Sequence, residues 1–121
     1  MKTAILFLSL FLATSSARAG ELVMFETEGC PYCAAWKRDI GQHYGNSDLA
    51  ALLPLKRIDI KAERPKGYEQ ILDVKLSPTF VAMACGAEAV RFEGYSDSGI
   101  FWDLMDMAAA KVRRIEKEKK C

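Results

Sequence analysis

The stretch Glu28-Gly29-Cys30-Pro31-Tyr32-Cys33-Ala34-Ala35-Trp36 (EGCPYCAAW) sets two cysteines around a Pro-Tyr dipeptide. What flanks it decides how it folds. Leu22–Phe25 before it is an apolar run of strand length, and Glu26–Gly29 reads as a polar turn. Pro31 suits the first turn of a helix, where its missing N–H would have had no partner. Ala34, Ala35, Trp36 and Ile40 give the stretch to about His43 an apolar side, so Trp36 reads as a core residue. The cysteine pair therefore sits where a strand hands over to a helix. A helix N-terminus carries unsatisfied N–H groups and partial positive charge, which stabilise a thiolate. Cys30 faces that field and reaches solvent, while Cys33 lies one turn further in and is the more buried of the two.

Three chemistries fit such a pair. A static disulfide is a poor staple at this spacing, because stabilisation grows with the length of loop closed. Structural zinc usually takes four ligands, and no second Cys/His pair is evident; His43, the one histidine, reads as a surface residue. Thiol–disulfide exchange is the reading the motif's placement favours. In it the Cys30 thiolate attacks a partner's disulfide, and Cys33 then attacks the Cys30 sulfur and releases the reduced partner. Every step is reversible, so the motif does not set the direction.

The 121 residues suit one domain. The first nineteen do not belong to it. Met1-Lys2, the apolar run Ala4–Ala13 and the small-x-small end Ala17-Arg18-Ala19 form a secretory signal pattern, too short to span a bilayer. Cleavage after Ala19 leaves Gly20–Cys121 as the mature domain, with 15 basic and 16 acidic residues once Lys2 and Arg18 are gone. That balance gives no bulk attraction to nucleic acid. Export also places the cysteines in an oxidising compartment, where a dithiol must be recharged before it can donate electrons.

Further along, Ser47 or Asp48 can cap a short turn over Leu49–Leu53 that Pro54 ends. Leu55–Ile60 reads as a second strand, Tyr68–Val74 as a short helix, Thr79–Met83 as a third strand and Ala89–Phe92 as a fourth, with the turn at Cys85-Gly86. Asp97 or Ser98 caps a last helix whose core face is Phe101, Leu104, Met105, Ala108, Val112 and Ile115, with a frayed, charged end over Arg113–Lys120. The β-α-β start makes the first strands parallel and the tight turn makes the last pair antiparallel. The expected fold is α/β: a mixed sheet of about four strands with helices on both faces.

Cys30-Pro31-Tyr32-Cys33 after the first strand, Ser77-Pro78-Thr79 opening the third and Gly94-Tyr95 before the last helix together resemble the thioredoxin superfamily over nearly all of Leu22–Ala110. The resemblance implies a cis proline at Pro78, lying against the cysteine pair. Ser77 and Thr79 would then join Pro31 and Tyr32 in docking a client. Pro-Tyr between the cysteines is shared with glutaredoxins and some periplasmic disulfide isomerases. Six residues before the nucleophile, typical thioredoxin has a buried Asp; here Met24 stands there, leaving Glu26 or Glu28 as carboxylates that could act through water on Cys33. Signal segment, motif and Gly-Tyr are most similar to the small periplasmic thioredoxins of bacterial sulfur-oxidation gene clusters. That likeness implies a monomeric periplasmic reductant without cofactor or metal. It would reduce disulfides or mixed disulfides on a protein client such as a sulfur-carrier protein, and be recharged by a membrane thiol transporter. Reductants for cytochrome c maturation or thiol repair share this architecture. A glutaredoxin-like, glutathione-dependent enzyme with Asp97 in the clamping region, and a binding module with an inert disulfide, remain as rival readings.

Cys85 and Cys121 complete an even count of four in an exported chain, which permits a second disulfide between them. Equally, Cys85 can be a small half-buried hydrophobe and Cys121 a free terminal thiol.

Overall fold

The computed structural model describes residues 20–121, so the signal segment expected over residues 1–19 lies outside the described residues. The chain runs β1 (Gly20–Glu26), α1 (Pro31–Trp36), a π-helical turn (Lys37–Gly41), α2 (Gln42–Tyr44), α3 (Leu49–Leu52), β2 (Leu55–Asp59), β3 (Thr79–Ala84), β4 (Ala87–Glu93) and α4 (Ser98–Lys119). The described strands form one sheet in the order β2-β1-β3-β4. β1 pairs parallel with β2, and β3 runs antiparallel to both β1 and β4. The α/β class and the mixed four-stranded sheet are as the sequence implied.

Alternation along the strands makes two cores. Leu22, Met24, Phe80 and Ala82 face Trp36, Ile40 and Tyr44 from the first helical stretch, and Phe101, Met105 and Val112 from α4. Trp36 is at the centre: its ring lies 5.5 Å from Phe80 and 5.8 Å from Phe101. The opposite face, built on Val23, Phe25, Ile58, Val81 and Met83, is covered by Ile71 with Ile60, Tyr68 and Val74 around it.

That second cover is not helical. The helix expected over Tyr68–Val74 is absent, and the segment is made of a turn and irregular chain. Its carbonyls are bound by side chains instead of helical N–H groups. Arg64 donates to Ile71 O at 2.8 Å, and Arg91 donates to Leu72 O at 2.8 Å and to Asp73 O at 3.2 Å. Asp73 also sits at φ +56, outside the right-handed helical region. The described helices therefore pack on one face of the sheet.

Caps behave as the sequence suggests. Ser47 Oγ accepts from Ala50 N–H at 3.3 Å, and Asp97 Oδ1 accepts from Ile100 N–H at 3.0 Å. The end of α4 departs from expectation: it holds its helix to Lys119 instead of fraying from Arg113. Val112 is fully buried and Ile115 packs against the core, so the last turns are tied down by apolar contact.

Candidate active site

β1 ends at Glu26, and Gly29 (φ +75) turns the chain so that Cys30 becomes the N-cap of α1. Cys33 N–H points back at Cys30 Sγ, 3.1 Å away, and Ala34 N–H binds Cys30 O at 3.1 Å. A charge on Cys30 would therefore meet one directed N–H and the positive end of the helical segment. Cys30 is half-buried and Cys33 is 1% exposed, the asymmetry that the motif's position implied. The two Cα atoms are 5.2 Å apart.

Against this pair lies the loop that opens β3. The Ser77–Pro78 peptide is cis, as the resemblance implied. Ser77 O sits 3.4 Å from Cys30 Sγ, where it can accept from the thiol once the pair is reduced. Three further bonds hold the loop. Thr27 Oγ1 and Ser77 Oγ share a hydrogen bond at 2.9 Å, Thr79 Oγ1 donates to Leu76 O at 2.6 Å, and Gly94 N–H donates to Pro78 O at 2.7 Å. Pro78 and Thr79 are buried, while Pro31 and Tyr32 are exposed, Tyr32 at 63%. Leu76, 53% exposed, adds a second apolar side chain in this loop. Cys30, Cys33, Pro31, Tyr32, Ser77, Pro78 and Thr79 are thus brought to one end of the molecule.

A cleft of about 680 Å³ opens beside Cys30 and Pro31, floored by Glu26, Lys37 and Arg57. Glu26 accepts from Arg57 Nη2 at 2.8 Å and lies 2.7 Å from Lys37 Nζ. The Arg57 hydrogen bond, opposed by burial and helped by Lys37, holds the Glu26 carboxyl below its usual value. A carboxylate so held is a weaker base than a free glutamate. Glu28 is exposed, and Met24 is fully buried in the core. The sequence pointed to Glu26 without its partners: it continues the inward alternation of Leu22 and Met24, and Lys37 stands four residues after Cys33 on the same side of the helix.

Other candidates lie elsewhere. Asp97 spends its Oδ1 on the cap of α4. His43 is exposed, at the far end of the first helical stretch. Cys85 and Cys121 meet at the opposite end of β3 from the site, with Cα atoms 5.6 Å apart, inside the roughly 4.4–6.8 Å that disulfides span. Among the described residues no three His, Cys, Asp or Glu side chains cluster as a metal site would need, and no helix is long and apolar enough to cross a membrane.

A mixed sheet carrying a Cys-x-x-Cys helix cap against a cis-proline loop is the frame of a thiol–disulfide oxidoreductase. Solved structures agree. The chain is 35% identical to the periplasmic thioredoxin SoxS from Paracoccus pantotrophus in its reduced form, over 76% of this chain and 97% of that one, with a TM-score of 0.72. A thioredoxin from Thermus thermophilus matches at 22% identity and TM-score 0.62, covering 78% of this chain and 76% of that one. Thioredoxin from Malassezia sympodialis matches at 12% identity and the same TM-score, covering 77% of each chain; these two share the fold. Neither the family models nor the curated proteins gave a match. The chain belongs to the thioredoxin superfamily, and its Cys30-x-x-Cys33 pair makes it a thiol–disulfide oxidoreductase.

Proposed function

We propose that this protein is a periplasmic reductant of protein disulfides, with Cys30 as nucleophile and Cys33 as resolving cysteine. One observation carries the assignment of roles: Cys30 caps the helix at the surface beside Ser77 O, while Cys33 is buried behind it. The Cys30 thiolate attacks one sulfur of the client's disulfide, forming a mixed disulfide and expelling the other client sulfur as a thiolate. Cys33, having lost its proton, attacks Cys30 Sγ. The Cys30–Cys33 disulfide forms, the second client sulfur leaves, and two electrons have passed to the client.

The docking surface in this reading is the Ser77-Pro78-Thr79 edge with Pro31 and Tyr32 beside it. An extended client segment laid along that edge brings its disulfide over Cys30. The signal pattern over residues 1–19 and the likeness to a periplasmic thioredoxin support export. In the periplasm the pair needs recharging, and a membrane thiol transporter is the donor we propose. The likeness to SoxS favours a client that carries a sulfur-transferring cysteine, held inactive in a disulfide or mixed disulfide.

Cys33→Ser in the full chain, expressed with its signal segment, tests the assignment. It should accumulate a covalent, thiol-sensitive adduct between Cys30 and the client, identified by mass spectrometry from periplasmic extract. Wild-type reduction that proceeds while Cys33→Ser traps nothing would contradict this order of attack.

A further inference from the structure

The cis-proline loop reaches Cys30 from outside the sheet, so something must fix its height over the sulfur. Ladder pairing begins only at Thr79, opposite Phe25 and Glu93. Ser77 and Pro78 precede it. Ser77 is tied by its hydroxyl to Thr27 Oγ1, and the backbone between Ser77 and the ladder is held at Pro78 O, which accepts from Gly94 N–H at 2.7 Å. Gly94 lies just past the end of β4, exposed and at φ +83, a conformation other residues adopt at a penalty.

The next residue supplies the hold. Tyr95 turns inward, 9% exposed, with its ring 6.4 Å from Phe101. Its phenol O–H donates to Asp39 Oδ2 at 2.9 Å. Asp39 lies in the π-helical turn Lys37–Gly41, on the helical stretch that begins beside Cys30. Its other oxygen, Oδ1, accepts from Arg38 Nε at 3.1 Å. A closed path results: Cys30 Sγ to Ser77 O, through Pro78 to Gly94, through Tyr95 to Asp39, and back along the helix to Cys30. π turns are rare and frequent at functional sites.

We propose that the Tyr95–Asp39 hydrogen bond is a latch that sets the docking edge of Ser77–Pro78 at its working height over Cys30. It rests on the reading of that edge as the client's docking strand. Tyr95 and Asp39 are positioning residues: neither touches the reacting sulfurs. The latch governs substrates that must be gripped as an extended segment. A small disulfide that needs only the Cys30 sulfur is indifferent to it. Burial, with Asp39 second, pushes the Tyr95 phenol up to about 12, so its proton stays in place at neutral pH.

The experiment compares two disulfides on wild type, Tyr95→Phe, Asp39→Ala and Asp39→Asn. Insulin is the protein substrate and 5,5′-dithiobis(2-nitrobenzoate) the small one. Tyr95→Phe and Asp39→Ala should each lower kcat/KM for insulin roughly threefold to tenfold, through KM, as expected for one lost hydrogen bond. Their rates with the small disulfide should match wild type. Asp39→Asn keeps an acceptor oxygen and should restore the insulin KM. The double variant should be no worse than either single one, because both remove the same bond. Equal losses on both substrates, additive losses in the double variant, or an unchanged insulin KM would overturn the latch. Should Tyr95→Phe fold poorly, Asp39→Ala alone still separates the two substrates. A wild-type protein that reduces the small disulfide but not insulin would instead overturn the client reading beneath it.

Discussion

At Cys30 the backbone supplies the environment and the side chains supply little: one N–H at 3.1 Å, a helix end, and a carbonyl at 3.4 Å. Glu26, in the adjoining cleft, is occupied by Lys37 and Arg57. Its carboxyl is held below the ordinary value near 4.5, so its ion pairs favour the folded state above that value. The contribution disappears as pH falls through the lowered pKa. Glu26→Gln should therefore destabilise the protein at pH 7 by about 1 kcal/mol, modest because both cations are roughly half exposed. Urea unfolding at a series of pH values should show the gap to wild type closing in acid. A gap that is the same at every pH would assign the loss to packing. Cys30, Cys33 and their unequal burial were legible in the sequence because a Cys-x-x-Cys after a strand meets a helix N-terminus wherever it folds. Tyr95 was named there with Gly94 as a family motif, but its bond to Asp39 and that of Thr27 to Ser77 were not legible, since each joins partners at least 50 residues apart.

Among the elements, the strands and caps were legible from local pattern, and the segment Tyr68–Val74 was not. Its apolar residues have helical spacing, yet Arg64 and Arg91 capture the carbonyls a helix would use. Arg91 comes from β4, so no local window contains the deciding contact. The β3–β4 turn carries a second lesson. Cys85 sits at φ +52 and Gly86 at φ +77 between the paired residues Ala84 and Ala87, a two-residue turn that asparagine or aspartate followed by glycine suits. A cysteine at that φ is strained, and the chain end at Cys121 is brought within 5.6 Å of it, Cα to Cα. We propose that the two are bonded in the oxidised protein, closing a loop over a separation of 36 residues. Replacing both with serine should cost about 3 to 4 kcal/mol in urea unfolding under non-reducing conditions and leave disulfide exchange intact. Two free thiols in wild-type protein purified without reductant, counted by alkylation with Cys30–Cys33 oxidised, would contradict the bond.

On the scale of the whole molecule, one end of the sheet is for exchange and the other for holding the chain together. β1 delivers Cys30 and β3 begins at the docking edge, while the start of β1 at Gly20 pairs with the end of β3 at Ala84, away from the site and beside Cys85. Trp36, Phe80 and Phe101 pack between the first helical stretch and α4, so the wall behind Cys33 is a dense aromatic core. Trp36→Ala should lower stability by roughly 3–5 kcal/mol, read as an earlier thermal transition. A transition unchanged within error would mean that this core is not the frame of the site. The central claim is that Cys30 and Cys33 together hand two electrons to a protein disulfide. Fully reduced protein mixed anaerobically with one equivalent of insulin, quenched with acid and mapped by peptide mass spectrometry, tests it most directly. The account predicts one Cys30–Cys33 disulfide formed for each insulin disulfide opened, and no reaction in Cys30→Ser. Insulin left intact, or opened while Cys30 and Cys33 remain thiols, would contradict it.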